Sequence, residues 1–397
     1  MSRLQSNART NAAAPAWRLA AAMAATLALV ACQSVPTASS GAAGISAGQA
    51  IAAAPQLRQD AFTGIYEVAV APALGAVYVA STPVFEAGSP GFVQRLDART
   101  LQTLQTVQLP RRAFALGLNS VTNTLYVGNT LDGSLTAVDA SSGTVKGVIQ
   151  LGVAEKKEDG KESMPHTRKV VVDEKNNRIF VTSPGQPGIV WIVDGAKGTL
   201  THTIRSEGIW TAGAAYDAAA NRLYVSQGGQ HEILAIDPDK GQVVGRFSTG
   251  DSTGNTAKES KHFFVNLALD AKGQRLFGAD SNTNQIYVFD IASGKQLKTI
   301  PAGMGTLDVA YNPQRNEIYA TNRGVSREQP QGTGGVTVID GASYAVKRSI
   351  DLPVHPNSLA VTPDGNTLYV SVKAPRGDKH PAFRKDSRDS VVRIDLR

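Results

Sequence analysis

The chain repeats itself. Two marks alternate along it without a gap: an aromatic residue inside a short apolar run, and an apolar–Asp pair that ends the next run. The aromatics are Tyr78, Tyr126, Phe180, Tyr224, Phe277, Tyr319 and Tyr369; the acids are Asp97, Asp139, Asp194, Asp237, Asp290, Asp340 and Asp395. The clearest copy is Asn123 to Val148, NTLYVGNTLDGSLTAVDASSGTVKGV. Successive aromatics lie 42 to 54 residues apart, which holds four short strands and no helix of consequence. Regular all-β units of that size fold as radial propeller blades. The expectation is one all-β domain over residues 55–397, a seven-bladed β-propeller of four-stranded antiparallel blades.

Turn chemistry agrees. Asn stands three residues before the aromatic at Asn123, Asn177, Asn221, Asn316 and Asn366, and Gly follows four residues after the Asp at Gly143, Gly198, Gly241 and Gly294; tight and longer hairpin turns favour these residues. The last copy stops at Leu396-Arg397, after its third strand. Gln56 to Phe62 is the free segment, and it is expected to pair with that copy and close the ring, because an unpaired edge is a liability.

Residues 1–31 carry Arg3, Arg9 and Arg18 and no acid, so of 40 basic and 33 acidic residues the remainder keeps 37 and 33, a net of +4. That mild excess permits a polyanionic partner without requiring one. The run Leu19 to Val30 is about half the ~20 residues that span a bilayer, which marks a signal-peptide core. Leu29-Val30-Ala31-Cys32 looks like the lipobox of bacterial lipoproteins. By that likeness Cys32 is lipidated, and Gln33 after it points to the outer membrane. Cys32 is the single cysteine, which removes disulfides and Cys-based zinc sites. Residues 32–54 read as the lipidated cysteine and a flexible tether poor in large apolar residues.

Innermost strands of a propeller begin at the mouth of the central channel. Fourteen positions before each aromatic stand Gly64, Arg112, His166, Trp210, Phe263, Gly305 and His355; twelve positions before stand Tyr66, Phe114, Arg168, Ala212, Val265, Leu307 and Asn357. The two sets should share one side of the strand, because side chains alternate. Arg111 and His262 come one residue earlier. Two long loops belong to the same end, Asn322 to Gly335, which includes Arg323, and Val372 to Ser390, which includes Lys373. The candidate ligand-binding set is therefore Arg111, Arg112, His166, Arg168, Trp210, His262, Phe263, Arg323, His355, Asn357 and Lys373. Arginine interleaved with aromatic rings suits an anionic, flat-faced ligand. A structural role for the same residues, plugging the channel and bridging blades, stays open beside it. His166, His262 and His355 fall in alternate copies, but Arg112 and Arg168 would repel a cation there, so no metal or cofactor is expected.

The segments Gly128-Asn129-Thr130, Val190 to Gly195, His262 to Asn266, Tyr311 to Glu317, His355 to Ala360 and Leu368 to Lys373 resemble those of the YncE family, bacterial periplasmic seven-bladed propellers built from YVTN-type repeats. The resemblance covers the chain from about Pro55 to Arg397. It implies a non-enzymatic envelope protein, and members of the family have been associated with single-stranded DNA.

Two catalytic signatures are missing: there is no phosphate loop, and His231-Glu232 is followed by Ile-Leu-Ala. Three readings remain. The first is a monomeric, periplasm-facing lipoprotein that binds an envelope protein or peptide through its elaborated face, touching the membrane through its lipid alone. The second binds single-stranded DNA or another polyanion. The third is a lactonase- or esterase-like hydrolase or a metal-binding propeller, which the fold by itself does not exclude.

Overall fold

A computed structural model of the chain describes residues 55–397 other than 157–159, 161, 207, 252–259, 327 and 376–377. The signal peptide, Cys32 and tether read from the sequence lie outside the described residues. Seven antiparallel four-stranded sheets follow one another, numbered here as blades one (residues 65–109), two (113–150), three (169–206), four (214–248), five (264–301), six (306–352) and seven (356–395). Six take their four strands consecutively from the chain. Blade seven contributes Pro356–Val361, Thr367–Val372 and Asp389–Asp395, and its outermost strand is Gln56–Phe62, antiparallel to Asp389–Asp395 with Gln56 opposite Ile394 and Asp60 opposite Ser390. A 3-10 turn at Pro72–Leu74 is the one named helical element among the described residues.

The core is not inside the blades but between them. Seven apolar clusters each join one blade to the next, including one that packs Phe62, Tyr369 and Val391 of blade seven against Ile65, Val77 and Val79 of blade one. The repeating aromatic belongs to these seams and is at most 3% exposed in every copy. Burying such a side chain stabilises by roughly 1.5–3 kcal/mol.

The two sequence marks meet across the seams. Tyr78 donates its hydroxyl to the carbonyl of Ala140, Tyr126 to that of Gly195 at 3.5 Å, and Tyr369 to that of Ala98 at 2.5 Å. Each acceptor is the residue after the next blade's repeating Asp. That Asp shapes the turn by accepting backbone N–H bonds, as Asp139 does from Ser141 and Ser142 at 3.1 and 3.0 Å. Such bonds hold the carboxyls of Asp97, Asp139, Asp194 and Asp340 below the usual range. Asn123, Asn177, Asn221 and Asn316 take the left-handed backbone expected of them, with φ of 48 to 51°; in blade seven Gly365, not Asn366, does so.

Candidate functional site

Inner strands bring their first residues to one end of the channel, together with the loops between second and third strands. At the position fourteen before the aromatic, Gly64, Gly305 and His355 have φ of 70, 71 and 65°. A histidine in this region carries backbone strain that glycine does not. Beyond this first layer the strands do not alternate simply. In blades one, two, five, six and seven a β-bulge interrupts pairing where the second ring stands, as between Ala113 and Ala115 in blade two and Pro356 and Ser358 in blade seven. A bulge sets two residues against one and re-aims side chains.

These elements enclose a cavity of about 930 Å³ at the channel mouth. It brings together seven of the eleven candidate residues: His166, Arg168, Trp210, Phe263, Arg323, Asn357 and Lys373. Tyr66 stacks on Phe114 at 4.1 Å, and the Lys373 ammonium lies 3.3 Å from the Tyr66 ring centre. Trp210 and Phe263 face each other at 6.0 Å. Gly228 makes that approach possible, because a β-carbon there would lie 2.5 Å from Cβ of Trp210 and 2.9 Å from the Phe263 ring. Arg168, 7% exposed, sits 5.0 Å above Phe114 and 3.5 Å from Glu67. The Arg323 guanidinium has no hydrogen-bond or ion-pair partner among the described residues. Its side chain reaches water inside the mouth, while the enclosing walls, and then the like charge of Arg168, hold its pKa below the usual arginine value. The lining sets the cations Arg168, Arg323 and Lys373 against one carboxylate, Glu328.

Four candidates lie outside this cavity. Arg111 is bonded to Ser134 and Gln150 at 3.0 and 2.8 Å, and Arg112, 4% exposed, is clamped by Asp132 at 2.7 Å and by the carbonyls of Phe85 and Leu131. His262, 1% exposed, lies between Asp280 and Asp251 at 2.6 and 2.7 Å. Burial pushes its pKa down, but the two carboxylates outweigh it and raise the pKa above the ordinary value. Burial, then the charge of Arg323, pushes His355 down to about 4. His166 is likewise lowered to about 4, by burial and then by Arg168, and its ring accepts or donates a bond with Thr130 at 2.7 Å. His166 and His262 thus have separate partners, and no cluster of metal-ligating side chains is found among the described residues.

Sequence reasoning passed over a third ring, eleven positions before the aromatic, which holds Glu67, Lys169 and Asp308. Lys169 donates to Glu67 at 3.1 Å, so blades one and three are bridged across the axis. Glu67 also accepts from the backbone of Leu116, and Asp308 from that of Leu359 in blade seven at 2.8 Å. This network fixes Arg168 from below. Three charged residues at one register of an inner strand were the available signal.

No protein-family model matches the chain. It is 36% identical over 346 residues to the uncharacterized protein YncE of Salmonella typhi, covering 87% of this chain and 92% of that one. It is 34% identical over 345 residues to YncE of Escherichia coli strain K12, with the same coverage. Among solved structures, hydrazine synthase of Kuenenia stuttgartiensis is similar with a TM-score of 0.54 and 21% identity, over 66% of this chain and 74% of that one. That likeness speaks to the fold alone.

Proposed function

We propose, on the premise that the chain belongs to the YncE family of β-propellers, that it is a binding module whose channel-mouth cavity takes an anionic group carried on an apolar or flat-faced segment of a partner. The observation that carries this reading is Arg323, an unpaired guanidinium set among aromatic walls. Hydrogen bonds to charged groups contribute roughly 1.5–3 kcal/mol, so a desolvated anion there is a specific anchor. A cavity of about 930 Å³ is at the upper end of the ~300–1,000 Å³ typical of ligand clefts. It admits the tip of a peptide or a few nucleotides, not a folded surface. Binding is favoured over catalysis because the hydroxyl paired with His166, that of Thr130, is buried and does not line the mouth cavity. An envelope protein or peptide is the partner this favours.

A second reading, single-stranded DNA or another polyanion, is supported by the Trp210–Phe263 pair, since stacked bases contribute ~1–3 kcal/mol each. Titrating the chain with an acidic, phenylalanine-containing peptide, with oligothymidylate and with inorganic polyphosphate over a range of salt separates the two. The first reading expects the peptide to bind with shallow salt dependence and Arg323→Gln to weaken it tenfold or more. Tight oligothymidylate binding with a steep salt slope, reduced to the level of polyphosphate by Trp210→Ala, transfers the site to the second. No binding by any of the three ends both.

The N-terminal segment supplies an address. Lipidation of Cys32 would hold the propeller on the periplasmic side of the outer membrane through a short tether. Incorporation of an alkyne-labelled fatty acid, lost in Cys32→Ser, is the expected result; an unlabelled chain in the soluble fraction removes the anchor.

A further inference from the structure

Beside the mouth lies a second cavity, also of about 930 Å³, which shares His166 and Trp210 with the first. Blades two, three and four form it, and its wall carries the apolar side chains of Leu131, Pro165, Pro184, Pro187, Ile189 and Ile209 among polar ones. One feature there is out of keeping with an inert hollow. Ser183 lies in the wall at 1% exposure, and its hydroxyl has no hydrogen-bond partner. A buried polar group left without a partner costs roughly 1–3 kcal/mol, which a bound molecule would recover.

The first cavity holds Arg168, Arg323 and Lys373; the second is lined by Glu155 and Lys156, with Arg205 3.5 Å from Glu155. A ligand with one anionic end and an apolar continuation matches both halves.

We infer that the second cavity is a subsite for an extended peptide that has a carboxylate on Arg323 and an apolar or proline residue beyond the Trp210 ridge, its backbone bonded to the Ser183 hydroxyl. This rests on the reading of the mouth as a binding cavity. A sphere of the cavity's volume is about 12 Å across, so at ~3.3 Å per extended residue the two anchors stand about three or four residues apart.

The test screens the full chain against N-acetylated octapeptides in free-acid and amidated forms, with oligothymidylate in parallel. Enriched peptides are expected to hold a carboxylate about three or four positions from a proline or apolar residue. The paired forms tell a terminal carboxylate from an acidic side chain. Ser183→Ala removes a hydroxyl that has no partner, so the melting temperature is expected to hold while affinity for the enriched peptide falls about fivefold. Ile209→Asp should weaken it further. A short probe that reaches the first cavity alone, N-acetyl-Phe-Glu, should respond to Arg323→Gln and to neither of the others. If the enriched peptide responds to Arg323→Gln but not to Ser183→Ala, the subsite is refuted and the mouth reading stands. If it ignores Arg323→Gln as well, or if oligothymidylate alone is retained, both fall. Should Ile209→Asp not fold, Ser183→Ala decides alone.

Discussion

At the channel axis Lys169, with Arg168 beside it, answers two buried carboxylates. Lys169 donates to Glu67, which is 3% exposed, and its charge also acts on Asp308, which is 5% exposed. Burial raises the pKa of Asp308 and Lys169 opposes the rise. For Lys169 burial pushes the pKa down, but Glu67 and Asp308 together outweigh it and raise it. Removing one partner of a buried pair costs more than the pair contributes, about 3–5 kcal/mol, because a charge is left behind. Lys169→Met is therefore expected to lose about that much stability in urea at pH 7, and adding Glu67→Gln should restore part of it. The deficit has a pH sign. A carboxyl whose folded pKa stands above its unfolded value of about 3.9 destabilises the fold as pH rises through the folded value, and stops doing so below the unfolded one. The loss in Lys169→Met should accordingly shrink from pH 7 towards pH 4; a deficit constant with pH would mean that packing, not charge, was removed.

At the scale of strands and turns, the repeat was legible because two local rules govern it, burial of an aromatic and capping of a turn by Asp. What the sequence did not reveal is that the two touch. The Tyr hydroxyl of one blade bonds the carbonyl after the Asp of the next, a contact 62 residues away for Tyr78 and 271 for Tyr369. Blade five, whose aromatic is Phe277, explains why the mark tolerates phenylalanine. Arg275, lying 5.5 Å from the Phe277 ring, reaches the carbonyl of Gly341, the residue after Asp340. In blade three Arg178 lies 5.7 Å from Phe180 and bonds Asn221 and Asp239 of blade four. The candidate site was legible only in part for a related reason. Counting at a fixed offset assumes alternating side chains, and bulges in five inner strands break that assumption, which is how Glu67 and Asp308 went unread; Lys169 was missed with them although the inner strand of blade three has no bulge. Arg112 looked free because its partner Asp132 stands in a different loop, 20 residues on. Arg323, by contrast, sits in a loop whose length alone recommended it.

For the whole molecule the question is what keeps seven blades in a ring. Inner and outer parts of the last seam differ. On the inside, Asp389 accepts from the backbone of Ile65 at 2.9 Å, Asn357 donates to the carbonyl of Tyr66, and Lys373 lies over the Tyr66 ring. Tyr66, Asn357 and Lys373 are also walls of the channel-mouth cavity, so the seam and the site share residues. On the outside, Gln56–Phe62 contributes mainly backbone pairing: its side chains are largely exposed except Phe62, which is 3% exposed. We propose that this strand acts as a latch. Deleting residues 56–62 would forfeit about 1.5–3 kcal/mol for Phe62 and leave the edge of Asp389–Asp395 open to pairing with another chain. The expected result is a melting temperature lower by several degrees, at roughly 2–4 °C per kcal/mol or less in a domain this large, with concentration-dependent self-association in sedimentation. Phe62→Ala should reproduce the thermal loss without the association, because the backbone edge stays covered. An unchanged melting temperature and a monomeric deletion variant would mean that the inner contacts hold the ring by themselves. The mouth cavity would then depend on Tyr66, Asn357 and Asp389 and owe nothing to the strand that precedes them.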